Sequence, residues 1–352
     1  MCMAADIYPV FTTSAQSGPS KENPAGCCTP EYMADLIEYT WGDSTTTWGK
    51  QRFDDGHPEP YKVQTFELGN EQYNSNYPKQ VAAMEARAVK IGKPKFFYYM
   101  MPDNAKWLNA SQAAEVEAIG IGDHAVSDIH IGAGGGVELA EKLFAEFPGK
   151  TFGAVNAETN DAISTVKRMI HEASDLNDWF NSELNSTTGA VSRLHFRTAS
   201  FCAERSGHFD AFDQGISFFL PNMTWLQPPG YVHKMISDSW HAGAVEITLA
   251  PLAMGTGALS QYSASAVLSD DKATLVVRFA NSQPTPIAVT YTLPAGFSSV
   301  ASQLQISGTD LNAQNSPGDP TAISPQSSTL DFASEASVSV PGQSFTVWTL
   351  TK

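Results

Sequence analysis

Along the first 240 residues, short apolar runs alternate with stretches whose apolar residues recur every three or four positions. The first pattern is that of buried strands, the second that of helices with one buried face. Their alternation predicts βα units built on a parallel sheet. Strands are predicted at 7–11, 63–68, 96–100, 125–131, 152–155 and 216–220, and helices near 31–39, 78–91, 111–119, 137–147, 161–180 and 199–212. Thr29-Pro30 gives the first helix an N-cap and a first-turn proline; Asn76 caps the second, and Gly92 stops it.

After Trp240 the helical period disappears. Segments 273–280, 287–293 and 344–350 read as strands separated by turns rich in Pro, Gly, Ser and Asn, which predicts an all-β sandwich. The expected domains are therefore 1–240 and 241–352. Six strands with intervening helices fall two short of the eight that close a (β/α)₈ barrel. The expected fold class is α/β: a TIM-type barrel lacking two βα units at its front, followed by the β-sandwich.

Composition narrows the partners. The formal net charge of −16 sets the chain against phosphate backbones and anionic lipid surfaces, so neither nucleic acid nor membrane is expected to bind. No apolar run has the length of a membrane span, and the N-terminus lacks the basic start and apolar core of a secretory signal; the compartment stays open. Cys2, Cys27, Cys28 and Cys202 have neither zinc-site spacing nor the density of a disulfide framework. No cofactor or metal is called for. Aromatic residues make up 11 % of the chain, which suits a sugar-lined cleft as well as a core.

Two carboxylates stand out by position. Glu71 closes Thr65-Phe-Glu-Leu-Gly-Asn-Glu71, just past a predicted strand, and Glu158 closes Phe152-Gly-Ala-Val-Asn-Ala-Glu158 in the same way. In a parallel barrel the active face lies at the C-terminal ends of the strands. With two strands missing in front, Glu71 and Glu158 follow strands four and seven, which face each other across the mouth. Carboxyls about 5 Å apart there suit double displacement, one as acid/base and one as nucleophile. Asn70 is placed to hydrogen-bond a substrate hydroxyl. His130 ends the fourth visible strand and shares a face with Asp128 and His124, a set that suits a hydrogen-bonded barrel histidine better than a metal site.

Tyr39-Thr-Trp-Gly42, Gly56-His-Pro-Glu-Pro-Tyr61 and Phe66-Glu-Leu-Gly-Asn-Glu-Gln72 resemble glycoside hydrolase family 51, the α-L-arabinofuranosidases. Val276-Val-Arg-Phe-Ala-Asn281, Asp310-Leu-Asn-Ala-Gln-Asn-Ser-Pro317 and Pro341-Gly-Gln-Ser-Phe-Thr-Val347 are similar to that family's C-terminal β domain. The resemblance implies retaining hydrolysis of terminal α-L-arabinofuranosyl residues from arabinan- or arabinoxylan-type glycans. It makes Glu71 of the Gly-Asn-Glu motif the acid/base, gives Asn70 the sugar's 2-hydroxyl, and leaves Glu158, placed by strand order, as nucleophile. It sets His130 near a residue contacting the nucleophile. Trp225 and Gln227, past the last predicted strand, are candidates for lining the sugar cleft, with core packing an equal account of Trp225. The rivals are another retaining barrel glycosidase such as a β-glycanase, and a truncated or vestigial carbohydrate-binding homologue without catalysis.

Overall fold

A computed structural model describes residues 10–13, 28–69, 76–93, 96–100, 125–128, 151–153, 164–185, 201–203, 215–241, 245–246, 261–293, 295–332 and 337–352. The chain forms two compact units: Met1–His130, Leu143–Asn156 and Thr188–Phe196 make one, and Ile131–Lys142, Ala157–Thr187 and Arg197–Lys352 the other.

The first unit holds strands β1 (Val10–Thr13), β2 (Thr65–Leu68), β3 (Phe97–Met100), β4 (Ala125–Asp128) and β5 (Thr151–Gly153), with helices α1 (Pro30–Trp41), α2 (Thr47–Asp54) and α3 (Tyr77–Lys90). The five strands pair in chain order and every pair is parallel. Each strand lies beside its predecessor, so the sheet winds onward without the reversal of a doubly wound sheet. Phe66, Leu68 and Tyr98 bury one face of this sheet against Met33 and Ile37 of α1 and Val81, Met84 and Ala88 of α3. Those helix residues recur every three or four positions, the stripe that predicts the two helices.

The caps follow the chemistry of the sequence. The Thr29 side chain accepts a hydrogen bond from the Tyr32 amide ahead of Pro30. Asn76 occupies the N-cap position of α3 but makes no side-chain cap bond there, so Pro78 is what starts this helix. Gly92, at φ +68°, ends it. The first strand begins at Val10 within the described residues, and α2 was not predicted: Thr47-Trp-Gly-Lys-Gln-Arg-Phe-Asp has no apolar stripe. Residues 111–119 and 137–147, predicted as helices, lie outside the described residues.

The second unit contains α4 (Val166–Asn185), β6 (Phe201–Ala203), β7 (Ser217–Leu220), β8 (Met223–Leu226) and α5 (Pro228–Asp238). Strands β9 (Val245–Glu246), β10 (Tyr262–Leu268), β11 (Thr274–Asn281), β12 (Ile287–Val289), β13 (Val300–Ser307), β14 (Gln326–Asp331), β15 (Val338–Val340) and β16 (Ser344–Thr351) follow. The helix predicted over 199–212 is corrected at its start. Residues 201–203 are a strand, because pairing parallel to β7 supplies backbone partners that local propensity does not foresee. Likewise Trp225 lies inside β8, which turns back antiparallel on β7 at Pro221-Asn222, and α5 begins at Pro228-Pro229.

The long antiparallel sheet runs β14-β13-β16-β11-β10-β9. On one side Leu275, Phe279, Trp348 and Leu350 meet Val338 and Val340 of the small β12–β15 sheet. On its other side α4 packs on β10 and β11, with Asn177 accepting a hydrogen bond from Ser265 at 2.7 Å. Both faces of β11 and β16 are covered, so their polar side chains, Arg278, Asn281, Ser344 and Thr346, are buried with the apolar ones. Arg278 of β11 donates to the Ser239 carbonyl at the C-terminus of α5 at 2.9 Å, where a cation also meets the negative end of the helix dipole. Burial lowers its guanidinium to about 10.

Helices α4 and α5 are joined by a buried ion-pair chain. Arg168 Nε donates to Glu172 Oε1 at 2.6 Å, and His233 Nε2 lies 3.0 Å from Glu172 Oε2. Burial raises the Glu172 carboxyl, but the hydrogen bonds and charges of His233 and Arg168 more than offset this, holding it below the ordinary carboxylate range. A depressed carboxylate stabilises the fold above its unfolded pKa of about 4.3, and that contribution is lost as pH falls through the folded value. Glu172→Gln is therefore expected to destabilise the protein at pH 7 by about 3 kcal/mol. In thermal unfolding followed across pH, the gap from the parent protein should close as pH drops below about 4.

Candidate active site

Parallel pairing puts the C-terminal ends of β1 to β5 at one edge of the sheet: Thr13, Leu68, Met100, Asp128 and Gly153. Glu71 follows the end of β2 by three residues, His130 the end of β4 by two, and Glu158 the end of β5 by five. Asn70, Glu71, His130 and Glu158 themselves lie outside the described residues. The chain leaves β2 through Gly69 at φ +106°, a conformation open to glycine and strained for other residues, so the turn from strand into the Asn70-Glu71 segment depends on it.

Below that turn the side chains of β2 divide by the period of two. Phe66 and Leu68 face the helices, and Thr65 and Glu67 the opposite face. Glu67 is 1 % exposed, in register with Thr12 of β1 and Tyr99 of β3. Its Oε2 accepts a hydrogen bond from the Thr12 hydroxyl, and the Thr13 hydroxyl donates to its backbone carbonyl at 3.2 Å. A buried carboxylate four residues before Glu71 is a polar feature that sequence reasoning passed over. Its signal was there: one charge inside the otherwise uncharged Thr-Phe-Glu-Leu strand.

The segment leading into β2 is fixed by Arg52, which is 1 % exposed. Its Nε donates to the His57 carbonyl at 3.0 Å and its Nη1 to that of Tyr39 at 2.7 Å; its Nη2 donates to those of Gly42 at 2.8 Å and Pro58 at 3.1 Å. One planar fork thus ties the Tyr39–Gly42 turn to the Gly56–Tyr61 segment. The Tyr39 and Tyr61 rings stack at 6.1 Å, and the Trp41 indole donates to the Val63 carbonyl at 2.6 Å. Both motifs serve as fasteners that carry the chain onto β2.

In the second unit Trp225 is 5 % exposed and packs edge-on against Phe218 at 5.9 Å. Its indole nitrogen is buried without a hydrogen-bond partner among the described residues. Gln227 is 1 % exposed: its Oε1 accepts from the Asn315 amide and its Nε2 donates to the Asn315 carbonyl, both at 2.9 Å. The Asn315 side chain in turn donates to the carbonyls of Leu226 and Ile323. The carbonyls of Leu311 and Ala313 accept from the first amides of α4, so the 310–317 segment also holds that helix's N-terminus. Among the described residues no group of three His, Cys, Asp or Glu could hold a metal ion, and no helix is long and apolar enough to cross a membrane.

Comparison with known proteins bears on the same segments. Residues 2–128 match the family model described as the alpha-L-arabinofuranosidase 1 domain. About the first third of the chain is thus similar to that domain. An extracellular exo-alpha-L-arabinofuranosidase of Streptomyces chartreusis is 47 % identical over 38 residues, 11 % of this chain and 5 % of that protein. The chain thus matches a small part of that relative's length. In fold, the arabinose complex of the α-L-arabinofuranosidase of Thermotoga maritima matches with a TM-score of 0.70 at 16 % identity, covering all of this chain and 77 % of that one. The GH51 α-L-arabinofuranosidase of Thermotoga petrophila gives 0.71 at 16 % identity, over 99 % and 76 %. The likeness is one of fold: the chain shares with these structures an α/β part and a β part, as its sequence leads one to expect.

The fastening role of Arg52 predicts that Arg52→Lys, which keeps the charge but cannot reach four carbonyls, destabilises the protein by about 2–4 kcal/mol. Denaturant unfolding should show a lower midpoint; an unchanged midpoint would mean the two motifs hold without the fork.

Proposed function

We propose that the protein is a glycosidase that removes terminal α-L-arabinofuranosyl residues from arabinan- or arabinoxylan-type glycans with net retention. The observation that carries this reading is that Glu71 and Glu158 each follow the C-terminal end of a strand in one parallel sheet. The match over residues 2–128 and the likeness in fold to arabinofuranosidases supply the sugar.

Geometry requires the sheet to curl. Strands β2 and β5 are three places apart, which in a flat sheet separates their ends by about 14 Å. Retaining double displacement needs carboxyls about 5 Å apart. Closure of the α/β strands into a (β/α)₈ barrel brings such ends across a common mouth. We therefore read residues 1–240 as barrel and 241–352 as β-sandwich by their chemistry.

Glu158 attacks the anomeric carbon as the C–O bond to the leaving group breaks, and Glu71 transfers its proton to the departing oxygen. Glu71, now ionised, takes a proton from water; the resulting attack breaks the bond to Glu158 and releases arabinose. Asn70 holds the sugar's 2-hydroxyl, and His130 orients the nucleophile's surroundings. Trp225 remains a candidate sugar contact by its position, and Gln227, locked to Asn315, fixes the chain just after it. No cofactor enters these steps.

Release of nitrophenol from 4-nitrophenyl α-L-arabinofuranoside tests the reading. Glu158→Ala should lower kcat by at least about 10³-fold, with azide restoring part of it and yielding the inverted glycosyl azide. Folded parent protein without turnover would favour the non-catalytic carbohydrate-binding reading, and preference for an aryl β-xyloside would favour a β-glycanase.

A further inference from the structure

The first unit holds a polar recess. A cavity of about 500 Å³ opens between the C-terminal ends of α1 and α3 and the start of α2, lined by Glu38, Trp41, Asp43, Thr47, Lys90 and Lys93 among others. Helices α1 and α3 each precede the strand they lead into, so their C-termini lie at the edge of the sheet opposite the strand C-terminal ends. The cavity is therefore separate from the candidate active site.

Its lining is specific in chemistry. The Trp41 indole forms a wall, with the Lys93 ammonium 5.4 Å from its centroid. Glu38 is already engaged at both carboxyl oxygens and, among the described residues, Asp43 at Oδ1 only. Glu38, buried, accepts from the Trp48 amide at 3.0 Å and from Arg87 at 2.5 Å, and Asp43 accepts from the Thr45 amide at 2.8 Å. Thr46 caps the Gly49 amide, so the N-terminus of α2 is satisfied internally and offers no anion site. The Thr47 hydroxyl and the Lys90 ammonium make no hydrogen bond among the described residues, and both border the recess. Two carboxylates against two ammonium groups leave the lining neutral, within a chain whose net charge of −16 repels anions.

An aromatic wall, free donors, an acceptor carboxylate and no net charge are the features that bind a neutral polyol. We propose that this cavity is a second, non-catalytic site for a neutral saccharide, with Trp41 against the ring and Asp43, Thr47, Lys90 and Lys93 on its hydroxyls. That the sugar is a pentose rests on the function proposed above; the neutral polyol is read from the lining. Such a site holds a polymer chain on the enzyme while its end is processed elsewhere, raising local substrate concentration.

The test reads binding at Trp41, so it is independent of turnover. In Glu158→Ala protein the Trp41 indole N–H resonance, assigned with Trp41→Phe, is followed while xylotriose, α-1,5-arabinotriose or inorganic phosphate is added. A saturable shift is expected with a trisaccharide and not with phosphate. Lys93→Ala and Thr47→Val, each checked for native circular dichroism, should weaken it about tenfold, the loss of one hydrogen bond to the sugar. An unmoved Trp41 signal, a response to phosphate at lower concentration than to sugar, or unchanged affinity in both folded variants would overturn the proposal. Absence of glycosidase activity with the Trp41 shift intact would sink the function and leave this site standing.

Discussion

Everything in the α/β unit follows from one constraint: neighbouring parallel strands need a long return connection, and here each return brings the chain to the next place in the sheet. Strands β1 to β5 therefore present their C-terminal ends along one edge in chain order. In the sequence Glu71, His130 and Glu158 follow the ends of β2, β4 and β5 by two to five residues. The helices that make the returns supply the core that keeps the sheet in place.

The segments that resemble arabinofuranosidases most strongly divide into two kinds of work. Gly-Asn-Glu at 69–71 carries the chemistry in the function proposed above, and Gly69 at positive φ is where the chain leaves β2. Tyr39–Gly42, Gly56–Tyr61 and 310–317 are mechanical. Arg52 gathers the carbonyls of the first two, and Asn315 with its neighbours holds Gln227 and the start of α4 in the third. A buried guanidinium or amide with several fixed partners accepts few replacements, which gives such segments a distinctive sequence without a catalytic role.

Most of the fold was legible because its elements bury one periodic face. The stripes of α1 and α3, the aromatic run of β3 and the β-prone segments of β2, β11 and β16 are written directly in the chain. What was not legible depends on partners distant in sequence. Helix α2 has no apolar stripe and is held by its Thr46 cap and by Arg52. Residues 201–203 become a strand through β7, and Trp225 enters a strand because β8 folds back on it. Glu67 looked like an ordinary charge in a strand until the register set it beside Thr12 and Tyr99. For Gln227, residue type and position suggested a sugar contact, whereas its engagement with Asn315 is visible only in three dimensions.

The central claim is that Glu158 forms a covalent bond to an arabinofuranosyl unit and Glu71 governs its release. Removing Glu71 should slow release more than formation when the leaving group is good, so the bound sugar accumulates. The direct measurement is mass spectrometry of Glu71→Ala protein mixed with 2,4-dinitrophenyl α-L-arabinofuranoside, followed by peptide mapping. The account predicts one pentosyl adduct per chain, located on Glu158. An adduct on another residue, or a burst of dinitrophenol without any adduct, would contradict it.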